Sequence, residues 1–245
     1  MKIESFPRKL FLFRNNLCMF AQTQNELHNM KHMSILAVSL LALVACTPEK
    51  KQEADYSQYV NPMIGTDFTG NTYPGAQVPF GMVQLSPDNG LPGWDRISGY
   101  FYPDTTIAGF SHTHLSGTGA GDLYDISFMP VTRPYKEAPA PLGIYSTFSH
   151  NDEAASAGYY RVLLKDYNIN VELTATERCG IQRYTFPEAE ASVFLNLKKA
   201  MNWDFTLDSK IEVVDSTTIR GYRLSQGWSP SVSYTHLTLP TSDLV

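Results

Sequence analysis

Asn168-Ile-Asn-Val-Glu-Leu-Thr-Ala175 alternates along its whole length. In an extended chain Ile169, Val171 and Leu173 fall on one side, and Asn168, Asn170, Glu172 and Thr174 on the other. A period of two predicts a strand with one face in a core and one in water. Seven further stretches have the same texture: 78–85, 107–112, 124–131, 158–164, 180–186, 192–197 and 217–224. Gly, Pro and Asp punctuate them, and no segment has a helical period long enough for a major helix. Many short strands at regular spacing predict an all-β fold, an antiparallel β-sandwich.

Composition agrees. The 245 residues are 43% hydrophobic, 12% aromatic and 18% charged, with 16 Gly and 15 Pro. That profile excludes disordered, collagen-like and coiled-coil chains. Five basic and two acidic residues precede Cys46, so the remainder carries 14 basic against 22 acidic side chains, a net of -8. An acidic body without a Lys/Arg stripe argues against nucleic acid as a partner and against a polybasic membrane-surface segment.

Two loops depart from the strand texture. Residues 61–77 are rich in Gly and Pro, and residues 111–122 set His112 and His114 beside three glycines. On a strand these imidazoles would share a face, where they could hold a metal, clamp a hydroxyl or support the loop. A metal would need a third ligand, such as Asp122 or Asp125. Gly117-Thr-Gly-Ala-Gly121 lacks dinucleotide-binding spacing. Trp94, followed by Asp95 and Arg96, sits in a Gly-flanked loop. An aromatic face beside charged groups suits a sugar, although a core Trp capped by a turn would read the same way. Asp67, Asp88, Asp95, Asp104, Asp122 and Asp125 are plentiful carboxylates, but spacing alone pairs none of them across a scissile bond.

The N-terminal part reads as a leader. Residues 33–45 are apolar, uncharged and too short to span a bilayer comfortably. Lys31 and His32 precede them, and Leu43-Val44-Ala45-Cys46 follows. The last four residues resemble a bacterial lipobox, which implies a signal peptide over 30–45 and a lipid on Cys46. An ordinary signal peptide with an incidental Cys is the alternative. Thr47 after the cysteine favours the outer membrane of a Gram-negative bacterium. Residues 1–29 are expected to be a non-native extension, and 46–58 a polar tether. Cys18 and Cys46 belong to the leader region, and Cys179 is left in the body as an expected buried, inert thiol.

Ordered blocks then carry a resemblance. Tyr59-Val-Asn-Pro-Met-Ile-Gly-Thr66, Thr72-Tyr-Pro-Gly-Ala-Gln-Val-Pro-Phe-Gly-Met-Val-Gln-Leu-Ser-Pro-Asp88, Gly109-Phe-Ser-His-Thr-His-Leu-Ser-Gly-Thr-Gly119, Phe148-Ser-His-Asn-Asp-Glu-Ala-Ala-Ser156, Glu172-Leu-Thr-Ala-Thr176 and Gly221-Tyr-Arg223 resemble the N-terminal domain of glycoside hydrolase family 92. The resemblance implies a calcium-dependent, inverting exo-α-mannosidase, often α-1,2-specific, acting on mannosyl glycans. It implies a β-sandwich over 59–230 packed on a helical barrel, with the site between them. Acid, base and calcium ligands would come from that barrel, so catalytic residues and bound calcium are expected to be absent from this chain. Gly70 and Trp94 take the substrate-contacting roles. Asp95, His112 and His114 take supporting ones. Residues 231–245 match no family block and are expected to be a non-native tail. By this reading the chain is an inactive fragment of an exported enzyme. The alternative is a stand-alone carbohydrate-binding lipoprotein.

Overall fold

The computed structural model describes residues 54–240 except 118, 188, 199–201 and 229–232. The leader, Cys46 and most of the tether therefore lie outside the described residues. Among those described, no helix is long and apolar enough to cross a membrane.

The described residues form fifteen strands. The first seven are β1 (Ser86–Asp88), β2 (Thr106–Ile107), β3 (Gly109–Ser111), β4 (Ser127–Thr132), β5 (Glu137–Ala138), β6 (Gly143–Ile144) and β7 (Ser146–Thr147). Then come β8 (Glu153–Ser156), β9 (Tyr159–Leu164), β10 (Ile169–Ala175), β11 (Gly180–Thr185) and β12 (Ala191–Asn196). The last three are β13 (Phe205–Val213), β14 (Thr218–Gln226) and β15 (Ser233–Pro240). Three antiparallel sheets have the orders β1-β3-β4-β12, β11-β10-β9-β8 and β13-β14-β15; β2-β7 and β5-β6 are two-stranded ribbons.

The alternation in β10 works as its sequence dictates. Ile169, Val171, Leu173 and Ala175 are buried, while Thr174 between them is exposed. Val171 pairs with Val162 and Leu173 with Tyr160 on β9. Phe110, Met129 and Val131 of the first sheet join Val162, Leu164, Ile169, Val171 and Leu173 of the second in one core cluster. These two sheets make the sandwich. Each such side chain contributes about 1.5–3 kcal/mol by leaving water. On the outer face of β10, Glu172 accepts hydrogen bonds from Tyr159 (2.7 Å) and from Arg183 Nε (2.6 Å).

A second, polar fastening lies at one edge of this core. Glu153 of β8 is buried and accepts from the hydroxyls of Tyr160 (2.6 Å) and Tyr100 (3.0 Å), and pairs with His150 Nδ1 at 2.7 Å. Burial, with Glu153 beside them, holds both tyrosine hydroxyls well above their usual range. This network draws the segment around Tyr100 onto the second sheet.

The structure differs from the sequence reading at four places. Residues 78–84 form no strand, because Pro79 lacks an N–H, Phe80 adopts a positive φ of 61° and Gly81 follows in a turn. β13 goes unread because a bulge between Thr206 and Asp208 shifts the phase of its apolar residues. Cys179 is exposed: it lies in the turn between β10 and β11, where its N–H donates to Thr176 Oγ1 at 3.1 Å. The boundary expected at residue 230 falls inside the third sheet, since β15 pairs with β14 over Thr218↔Pro240 to Ser225↔Ser233.

Core burial at β10 makes a direct prediction. Leu173→Ala costs about 2–5 kcal/mol, lowering the melting temperature by roughly 4–20 °C for a domain of this size. Thr174→Ala, one residue along on the wet face, changes stability by less than about 1 kcal/mol. Circular dichroism melts of the two variants check this, and equal destabilisation would contradict the assigned faces.

Candidate functional site

The three irregular segments 61–77, 89–101 and 111–126 are laced together. Within the first, Thr72 N–H donates to Gly65 O (3.2 Å) and Thr72 Oγ1 to Ile64 O (2.7 Å). The chain crosses itself so closely there that a Cβ on Gly70 would lie 2.2 Å from Gly65 O and 2.6 Å from Gly65 Cα. Only glycine fits. Ser98 Oγ donates to Thr72 O (2.9 Å) and Tyr102 N–H to Thr66 O (2.8 Å), which ties the Gly70 loop to the segment after Trp94. Gly117 N–H reaches Asn71 O at 2.6 Å and brings in the third loop.

Trp94 opens a single 3-10 turn, Trp94–Arg96, and is 60% exposed. Trp203 packs on it edge to face, with ring centroids 5.4 Å apart and planes at 81°. Asp95 is exposed on the same turn. Arg96, the expected guanidinium partner for a sugar, is instead committed to Asp104 through two bonds of 2.6 and 2.5 Å, and lies 4.8 Å above the Phe101 ring.

The two histidines do not share a site. β3 ends at Ser111, so strand alternation does not extend over His112 and His114, and the two rings take different partners. His112 Nδ1 lies 2.9 Å from Ile126 O and its ring meets Phe128 edge-on, against Gly180. Burial holds its basicity below the usual histidine range. His114 Nδ1 lies 2.7 Å from Gln84 O, while Nε2 faces Asp88 Oδ1 (2.9 Å) and Ser111 Oγ (3.1 Å). A carbonyl has no proton to give, so Nδ1 carries one and donates it to Gln84 O. Gly99 allows this approach, since a Cβ there would lie 2.7 Å from Asp88 Oδ1. Both histidines thus serve as struts under the loops.

Asp125 does not serve as a metal ligand either. It pairs with Arg223 of β14, a fully buried guanidinium that also binds Asp204, Leu123 O (3.0 Å) and Thr206 Oγ1 (3.0 Å). Asp125 is further held by Ser225 Oγ (3.1 Å) and Thr235 Oγ1 (2.6 Å). Asp204 is less well served, because its Oδ1 is buried without a hydrogen-bond partner. Two buried carboxylates share one guanidinium, and the less completely hydrogen-bonded of them, Asp204, is pushed up to about 7, burial being the main cause. Among the described residues, no three His, Cys, Asp or Glu side chains converge to hold a metal ion. The described acidic, His and Cys side chains therefore do not form a calcium cradle.

Sequence reasoning missed Asn202, Trp203 and Asp204. A Trp flanked by Asn and Asp repeats the chemistry of Trp94-Asp95, and that was the available signal.

The glycosyl hydrolase family 92 N-terminal domain matches residues 59–241. The chain is similar to a family GH92 alpha-mannosidase from Bacteroides thetaiotaomicron solved in complex with mannoimidazole. The two are 41% identical with a TM-score of 0.70, over 74% of this chain and 24% of that one. It is also similar to the GH92 family glycosyl hydrolase ccman5, at 29% identity and TM-score 0.64, over 75% of this chain and 26% of that one. An uncharacterized secreted glycosidase of Arthroderma benhamiae is 26% identical in an alignment of 172 residues that covers 66% of this chain and 21% of that protein. The chain thus spans about a quarter of the length of these relatives.

The elevated Asp204 has a measurable consequence. A carboxyl whose folded pKa exceeds its unfolded value stabilises the fold fully below the ordinary aspartate range. That stability is lost as pH rises through about 7. His112 works the other way, since its lowered basicity costs stability as pH falls below the usual histidine range. The difference between wild type and Asp204→Asn isolates the first effect. The wild type loses stability relative to the variant as pH rises from about 4 to about 7. Thermal melts across that range check it, and parallel curves would refute the assignment.

Proposed function

The chain belongs to glycoside hydrolase family 92 through its N-terminal domain, and on that premise we propose that the whole protein is an exported exo-α-mannosidase to which this chain supplies part of the sugar-binding wall. The substrates are mannosyl glycans, with α-1,2-linked mannose as the preferred terminal unit. The reaction inverts the anomeric centre, with one carboxylic acid protonating the leaving oxygen and a carboxylate activating water across the ring. Calcium, when bound in the whole enzyme, supplies a charge that grips sugar hydroxyls. The family resemblance assigns its ligands to the part of the enzyme that this chain does not span.

The observation that carries this reading is Trp94, a large apolar ring left 60% exposed on a turn gripped at both ends. Its face suits the C–H face of a pyranose. Gly70 lies in the loop that Thr72 ties to Ser98, after Trp94 in the chain, and would offer bare backbone to a sugar. The buried carboxylates support the division of labour. Asp88, Asp104, Asp125, Asp204 and Glu153 are tied to His114, Arg96, Arg223 and the Tyr100–Tyr160 pair. They act as fastenings and do not form an acid–base pair across a cleft. Export is supported by the leader pattern and by the description of the fungal relative as secreted. A lipid on Cys46 would hold the protein at the outer membrane.

Two measurements test the proposal. The purified 245-residue chain releases no mannose from an α-1,2-linked disaccharide, and isothermal titration with mannose gives no saturable heat at micromolar concentration. Mannose release would place the catalytic groups in this chain. Saturable micromolar heat would instead make it a self-sufficient carbohydrate-binding module. In the whole enzyme, Trp94→Ala lowers kcat/KM by about tenfold or more, as loss of a ring contact of roughly 1.4 kcal/mol requires. An unchanged kcat/KM would remove Trp94 from the sugar site.

A further inference from the structure

One side chain grips both ends of the Trp94 turn. Gly93 N–H donates to Asn202 Oδ1 at 2.9 Å, and Asn202 Nδ2 donates to Arg96 O at 3.4 Å. These partners are more than a hundred residues away in sequence. The amide bridges the start and the end of the turn, supplying an acceptor at one and a donor at the other. Asn202 itself adopts a positive φ of 55°, a conformation that Asn tolerates better than most residues. The approach also requires Gly121, where a Cβ would lie 2.7 Å from Asn202 Cβ and Nδ2.

The residues that follow complete the support. Trp203 sets its ring at 81° against Trp94. Asp204 is buried and bound by Arg223, which also takes Thr206 Oγ1 at 3.0 Å. The segment 202–204 is therefore anchored from below by β14, while its upper end clasps the Trp94 turn.

We propose that Asn202 is a positioning residue for Trp94: it locks the turn that aims the sugar-facing ring, with Trp203 as the backing surface. The role in glycan binding rests on the reading of Trp94 given above, whereas the grip itself does not. Without Asn202 the turn keeps its Arg96 N–H to Gly93 O and Gly99 N–H to Arg96 O bonds, both 3.0 Å, which hold its far end, but Gly93 N–H at its start loses its acceptor, and the ring would sample several orientations. Binding then carries the added entropy of ordering it.

Two nearly perpendicular indoles in contact give an exciton couplet in circular dichroism, and that couplet reports their relative orientation. In the 245-residue chain Trp94→Phe abolishes the couplet and so assigns it. Asn202→Gly keeps the left-handed backbone but removes both bonds. Its couplet falls to less than about half while cooperative melting persists. Asn202→Asp retains the acceptor for Gly93 N–H and keeps most of the amplitude. A full couplet in folded Asn202→Gly would overturn the proposal, because a merely structural residue would change the melting temperature and leave the couplet alone. Hydrogen exchange at Gly93 in the wild type decides the matter even if that variant does not fold. Protection of this amide by about tenfold or more is expected, and exchange at the unprotected rate would overturn the grip. If the couplet responds as expected while Trp94→Ala leaves kcat/KM of the whole enzyme unchanged, the grip stands and the sugar-site reading fails.

Discussion

A guanidinium enclosed by two carboxylates holds this molecule's third sheet against the loops of its sandwich. Arg223 projects from β14 into a fully buried position and binds Asp125, Asp204, Leu123 O and Thr206 at once. Thr235 of β15 and Ser225 of β14 close on the same Asp125. Taking three charges out of water is expensive, so such a cluster is weak as a source of stability. Its value is directional. A planar fork with fixed N–H vectors accepts very few arrangements of its partners. The strand carrying it, the start of β13 and the turn at Leu123 must sit where they do for the charges to be matched.

The same design recurs under each irregular loop. His114 is held between Gln84 O and Asp88, and Glu153 gathers Tyr100, Tyr160 and His150. Glycines appear where these fastenings crowd the backbone. A Cβ on Gly70 would strike Gly65, and a Cβ on Gly227 would lie 1.7 Å from Asp122 Oδ1. The loops are thereby pre-organised by buried polar contacts, which on the proposed reading suits a surface that meets a rigid sugar ring with little loss of entropy.

The chain spans about a quarter of the length of its relatives, and its buried carboxylates are spent on architecture. A wall and a proton-transfer pair make different physical demands. The wall needs exposed apolar faces and stiff backbone, and the pair needs carboxylates free to exchange protons at a controlled separation. On the proposed reading, Trp94, Trp203 and Asn202 meet the first demand.

The alternation of β10 was legible from residues alone, because one buried face and one wet face impose a period of two on any strand at a sandwich surface. The all-β class followed, and the ordered blocks from Tyr59 to Arg223 carried the family. The same reasoning failed where regularity breaks. The bulge in β13 hid its period, a positive φ at Phe80 ended an apolar run early, and the turn at Cys179 exposed a thiol that its neighbours suggested was buried. The roles of single polar residues were out of reach altogether. His112 and His114 looked like a pair, and Arg96 like a sugar ligand, until their partners Ile126, Asp88 and Asp104 were seen. Only the tertiary structure decided these, since a side chain's chemistry is set by whichever groups reach it, and such groups can lie a hundred residues or more away along the chain.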